Sequence, residues 1–198
     1  MPRHLVSSLV LLFGVGWAAL TANASTERQW RFTVLLDGKP IGHHHVDLTG
    51  TEEVEYRSET KLNVKVLFLT VFRYLHVDRE TWRDDCLTRI DSTTDDDGKA
   101  QFVRGTRGNA SFMLTTERGA REHTAPCVMT FAYWNPKVLS ATRLMNAQTG
   151  EYLPVRIETL GTDRIQVRGQ QLEAEHFAIV GDKLEDRAVV RGQQCRCG

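Results

Sequence analysis

"WRFTVLLDGKPIGHHHVDL", Trp30 to Leu48, is the stretch that decides the fold. Trp30, Phe32, Val34 and Leu36 recur at every second position, the period of a half-buried strand. Asp37-Gly38 follows, a pair that readily takes the positive φ of a tight hairpin turn. The chain then returns through "KPIGHHHVDL". A two-residue turn sets Val34 opposite Ile41, Phe32 opposite His43 and Trp30 opposite His45. Directly paired residues share a face of the sheet. This register predicts His43 and His45 beside Trp30 and Phe32, with His44 and Arg31 on the other face. A bulge at the turn would move the register by one.

The same alternation weighs against a metal centre at the histidines. At most two of three successive side chains point together, about 7 Å apart along a strand. Zinc takes three or four ligands around one ion, so partners would have to come from His76, Asp47 or His176. The sequence supplies no ligand spacing that demands this. No metal and no cofactor is assigned, and His43 and His45 are taken as part of an aromatic, partly polar wall.

Outward from this hairpin the period of two persists. "YRSETKLNVKVLFL" sets Leu62, Val64, Val66 and Phe68 on one side, and "VFRYLHVDRETW" sets Phe72, Tyr74, His76, Asp78, Glu80 and Trp82 on one side. "DDDG", Asp95 to Gly98, is a second hairpin signal; as a calcium loop it lacks the later acidic ligand. "ASFMLTTE", "EHTAPCVMTF", "YLPVRIETL", "DRIQVRG" and "LEAEHFAIV" read as further strands. Many short strands between turn residues predict a mainly β fold, an antiparallel curved sheet in half-barrel, clam-like or barrel form. One short helix is predicted after "FAYWNP", with Asn135 as cap, Pro136 in the first turn, and Val138, Leu139, Thr142 and Met145 on one side. A single domain over 25–182 is expected, followed by an irregular tail over 183–198.

The N-terminus has the layout of a cleavable leader over residues 1–24. Arg3 precedes an apolar run, Leu5 to Leu20, and "ANA" at Ala22 to Ala24 offers small residues for cleavage before Ser25. The run is about 16 residues, short of the roughly 20 of a membrane span. No later stretch is apolar enough to cross, so no membrane span is expected after cleavage, and the expected location is the periplasm or outside the cell. In such a compartment disulfides persist. Of Cys86, Cys127, Cys195 and Cys197, the last two are one residue apart and would close a strained ring, so Cys86 is paired with Cys127. The 25 basic and 25 acidic side chains balance, with no basic patch among aromatics, so no nucleic-acid partner is expected.

"WRFTVLLDGKPIGHHHV", "RYLHVDRETWRDDCL", "TTDDDGK", "FAYWNP" and "MNAQTGE", in this order, resemble a family of exported bacterial proteins known only as a domain of unknown function. The resemblance covers about residues 28 to 180 and implies export and a β-rich fold. It implies no catalytic residues. The tail from Lys183 departs from the family pattern, as a truncation or shifted frame would.

These features favour a non-enzymatic periplasmic protein that binds an apolar or amphipathic small molecule or acts in the cell envelope. Trp30, Phe32, His43, His45, Tyr133, Trp134 and Asn135 are the candidate lining, although for the last three sealing the end of the β structure is the favoured reading. The alternative is a periplasmic hydrolase using His76 with Asp78 or Glu80, a carboxylate beside an imidazole being the raw material of acid–base chemistry. Against it, no Ser or Cys nucleophile has a recognisable setting, and a salt-bridged strand explains the same residues. A structural interaction protein is a further alternative. No residue is assigned a catalytic role.

Overall fold

The structure is a computed structural model that describes residues 26–125, 127–167, 169–181 and 184–190. The expected leader, its cleavage site, Cys195 and Cys197 lie outside the described residues.

Eight strands form one antiparallel meander in which each pairs with the next: β1 Arg28–Leu36, β2 Lys39–Thr49, β3 Glu53–Val66, β4 Leu69–Arg83, β5 Cys86–Asp96, β6 Lys99–Arg107, β7 Phe112–Thr116 and β8 Gly119–His123. β1 and β8 are the two edges, so the sheet is open and not a closed barrel. A small pair follows, β9 Arg143–Met145 with β10 Tyr152–Pro154. Then comes a three-stranded sheet of β11 Arg156–Val167, β12 Gln170–Gly181 and β13 Leu184–Val190. The mainly β, antiparallel expectation thus describes the chain. The irregular tail is corrected in part: the backbone of Leu184–Val190 pairs with β12, from Gly181↔Leu184 to Glu175↔Val190.

The first hairpin departs from the expected register. Asp37 and Gly38 do form a tight turn, with φ of 49° and 74°. Leu36 pairs with Lys39 and Leu35 with Pro40, but Val34 pairs with Gly42, leaving Ile41 as an extra residue. Pro40 has no N–H to give to the ladder, which makes this the natural place for a bulge. Gly42 then lies so close to β3 that an added Cβ would collide with the Lys61 carbonyl oxygen. Past the bulge, Phe32 pairs with His44 and Thr33 with His43. Every histidine of the triplet is therefore on the face opposite to the one expected.

One face of the meander is covered by the chain between Cys127 and Val155. Val128, Met129, Ala132, Val138, Leu144 and Met145 from this cover join Trp82, Leu87, Ile90, Val103, Phe112 and Leu114 from the sheet in one buried cluster. Burial of apolar area on this scale is the main favourable term in such a fold. The cover is fastened at its start by the Cys86–Cys127 disulfide, Cα atoms 5.1 Å apart, and by Leu87 N–H donating to Val128 O at 3.0 Å. The predicted disulfide is present.

The predicted helix is reduced to one 3-10 turn, Pro136–Ser140. Asn135 caps it as expected, its side chain accepting from Lys137 N–H. Ala141 is already extended, and Arg143–Met145 is strand. A segment this short gains little from its own helical bonds. Met145 N–H instead donates to Met129 O at 2.8 Å and Val155 N–H to Thr142 O at 2.9 Å, ties within the cover that hold the segment extended. "EHTAPCVMTF" likewise is strand only to His123, with an isolated bridge from Thr130 to Met145.

Candidate functional site on the inner face

Alternation along the paired strands sorts the covered, or inner, face into rows that cross the sheet. Leu48, Tyr56, Glu80 and Ile90 are paired neighbours in one row; Trp30, Val46, Ser58, Asp78, Ser92 and Val103 form the next. Phe32, His44, Thr60, His76, Thr94 and Gln101 follow, and then Val34, Gly42, Leu62, Tyr74 and Asp96. The first two rows lie at the covered end. The later ones run toward the Asp37-Gly38 turn and, apart from the buried Thr94, are half-buried or exposed.

At the covered end sits a pair of buried carboxyls. Asp78 is 4 % and Glu80 2 % exposed, and neither has a cationic partner among the described residues. The salt-bridged strand is thereby corrected. Burial pushes both carboxyls above their ordinary range, since a charge removed from water is costly. The two carboxyls also interact with each other through a side-chain hydrogen bond. Glu80 also accepts from Trp82 Nε1 at 2.9 Å and from Thr130 of the cover. Asp78 Oδ1 has no hydrogen-bond partner among the described residues. Tyr56 is pushed up by the same burial and by the carboxyls beside it.

The next row is polar but uncharged. His44 Nδ1 lies 2.7 Å from Thr60 Oγ1, and His76 Nδ1 lies 2.8 Å from Thr94 Oγ1. Burial and the neighbouring His44 lower His76 to about 4; burial and His45 lower His44. Both imidazoles are therefore neutral at pH 7. Farther along the row, Gln101 Oε1 accepts from Gln148 Nε2 at 2.8 Å, and Tyr74 OH donates to Gln148 Oε1 at 3.0 Å. Gln148 belongs to the "NAQTG" turn, so the cover ends at this row. From Phe32 outward the apolar Val34, Leu62, Val64 and Phe72 are half-buried on this face, with Tyr74 and Asp96 completing their row on β4 and β5.

The sequence-derived lining is divided by this arrangement. Trp30 and Phe32 lie on the inner face, and Phe32 stacks on His44 with ring centroids 5.9 Å apart. His43 and His45 are on the outer face, stacked on each other at 4.3 Å, with His43 Nε2 3.4 Å from Glu59. The expectation that they share the face of Trp30 and Phe32 is corrected by the bulge at Ile41. Trp134 packs edge-on to Trp82 at 5.4 Å and stacks with Tyr56 at 6.3 Å, deep in the covered end. Asn135 is fully buried as the cap of the 3-10 turn, and Tyr133 is exposed beside Phe131. Sequence reasoning passed over His44, Thr60 and Thr94; the signal that finds them is Pro40, which marks the bulge.

Two clefts, of about 440 and 240 Å³, lie at the covered end near Asp84 and Asp85, away from the histidines. Among the described residues no three His, Cys, Asp or Glu side chains are grouped to hold a metal ion. No described helix is long and apolar enough to cross a membrane.

Residues 32–197 match the family model of a domain of unknown function, DUF6134. The chain belongs to this family. The matched region includes the stretch from Lys183 that the sequence reading set apart. No curated protein and no solved structure matched the chain.

Proposed function

We propose that this DUF6134 chain is an exported binding protein that holds an amphipathic small molecule on the open part of the inner face. The observation that carries this is the grading of that face. Apolar side chains of Phe32, Val34, Leu62, Val64 and Phe72 lead into the hydrogen-bonding row of His44, Thr60, His76 and Thr94. An apolar ligand tail gains by covering the first group, and its head finds donors and acceptors in the second. Because both imidazoles are neutral, the row suits an uncharged polar head, such as a hydroxyl, amide or ester, better than a strongly anionic one. The disulfide supports export, since such bonds persist in oxidising compartments.

The hydrolase alternative draws less support. Asp78 and Glu80 are bonded to each other under the cover, and His76 Nδ1 is engaged with Thr94. The test is native mass spectrometry of protein isolated from the periplasm of its own cells. A lipid-like adduct is expected, and it should be lost in Leu62→Asp and Phe72→Asp, which place charge on the apolar strip. Chain that carries no adduct and takes up no added monoacyl lipid would overturn the reading.

A further inference from the structure

We infer that the tips of the β1–β2 and β3–β4 hairpins dock the protein on an anionic membrane surface. Antiparallel order puts both turns at the same end of the sheet, beyond the open part of the inner face. Their apolar residues point into solvent. Leu35 and Leu36 are 56 % and 47 % exposed, and Leu67, Phe68 and Leu69 are 85 %, 92 % and 71 % exposed, with Val71 at 50 %. Isolated exposed leucines are ordinary, whereas a cluster confined to two neighbouring turns marks a contact site.

Leu67 adds a second, independent observation. It holds φ 56° at the first of two turn positions. Hairpins fill such positions with Gly, Asn or Asp, because a branched hydrocarbon side chain in the left-handed region is strained. Leu67 thus costs stability twice, through its backbone and through its exposure, and with 85 % of its surface in water it has little packing among the described residues to offset this. Three other two-residue turns of the meander follow the ordinary rule, with Asp37-Gly38, Asp84-Asp85 and Asp97-Gly98 at positive φ, while the Glu117-Arg118 turn places its positive φ at the following Gly119.

The charges around these tips select the partner. Lys39 and Lys65 are exposed beside the two turns, with Lys61 farther back on β3, and none of them makes an ion pair among the described residues. Asp37 is the acidic residue within these two tips, while Asp95, Asp96 and Asp97 gather on the next hairpin. An apolar tip with a basic collar matches an anionic lipid surface, where burial of the tip and attraction to headgroups add. Two convex turns are a poor match for a protein partner, which would need a complementary groove and about 800 Å² on each side for a stable contact. The acidic third tip would tilt the sheet so that the β1–β4 corner meets the surface. Docking by the tips does not depend on a ligand on the inner face.

The test uses the full chain and its Phe68→Trp variant with vesicles of phosphatidylcholine, with and without about one quarter phosphatidylglycerol. The difference in Trp emission between variant and parent reports the tip alone. It should shift to the blue on anionic vesicles, be quenched by brominated lipid, and reverse at high salt, where headgroup attraction is screened. Leu67→Asn combined with Phe68→Ser and Leu69→Ser should weaken the tip-dependent binding by roughly tenfold or more, as expected when several large apolar side chains are lost. An emission difference that ignores vesicles would overturn docking even if the chain binds them elsewhere. So would a concentration-dependent dimer abolished by the triple variant, which would assign the tips to a second copy.

Discussion

The two ends of the inner face invert each other. At the covered end, groups that prefer water are buried: Asp78 and Glu80 lie beneath Thr130, with Trp82 and Tyr56 around them. At the open end, groups that avoid water are exposed: Leu67, Phe68 and Leu69 stand at the turn. Between them lies the neutral row of His44, Thr60, His76 and Thr94. The lesson is about closure. Where the cover is pinned by the Cys86–Cys127 disulfide, even carboxyls are desolvated and pushed above their ordinary range. Where it stops at Gln148, the sheet keeps a face that nothing in the described chain completes.

The largest expected effect tests the covered end. Trp82 is 1 % exposed and donates to Glu80. Trp82→Ala leaves a large void and removes a donor from a buried carboxylate, a combined cost of about 5 kcal/mol. That is comparable to the whole stability of many domains. Near-UV circular dichroism of the variant should show lost tertiary packing. A native spectrum with an unchanged urea midpoint would refute the idea that this end is closed.

The clasp of the cover comes next. Cys86 and Cys127 are 41 positions apart, and the chain-entropy model gives such a loop roughly 4 kcal/mol. Replacing both by Ser should lower the urea midpoint accordingly, with the loss felt first by the cover. Hydrogen exchange of Met145 N–H, which is bonded to Met129, should quicken more than that of β2.

Much of this contrast was legible in the sequence. Alternation in "VFRYLHVDRETW" placed Phe72, Tyr74, His76, Asp78, Glu80 and Trp82 on one face, and they do share it. The turns at Asp37-Gly38 and within "DDDG" came from residues that tolerate positive φ. The histidine faces were misread because one bulged residue, Ile41, reverses all that follows in a period of two. The segment after Pro136 read as a helix because Val138, Leu139, Thr142 and Met145 fit that period. Its ties to Met129 and Val155 are long-range and leave no local mark. The carboxyl pair was hidden for the same reason: a local pattern shows that Asp78 and Glu80 share a face, but not that Thr130 will close over them.

The middle row sharpens the contrast through pH. His76 is lowered from 6.5 to about 4 in the folded chain, so the unfolded state binds more protons between these values. Stability therefore falls as pH drops through this window, by about 3 kcal/mol in full. The carboxyl pair has the opposite sign. Asp78 and Glu80 are raised, so the folded state holds extra protons, and their stabilisation is lost as pH rises past the ordinary carboxylate range. His76→Asn should flatten the acid limb of a urea-midpoint profile, while Asp78→Asn should steepen it by removing the opposing term. Parallel profiles for parent and both variants would show that neither group is desolvated as described.

The smallest effect belongs to the open end, and its sign is what matters. Leu67 holds φ 56° with 85 % of its surface in water, so replacing it removes almost no packing. Asn accepts the left-handed region with little strain and prefers turns, whereas a leucine there carries a penalty of about 1 kcal/mol or more. Leu67→Asn should therefore stabilise the chain by a few tenths to about 1 kcal/mol, seen as a higher urea midpoint with an unchanged slope. A gain would mean that the natural residue is not the one the hairpin prefers, and that the leucine is kept at the expense of the fold. A loss of similar size would mean that Leu67 has packing partners in solution. The open end would then be an ordinary turn, and its contrast with the covered end would vanish.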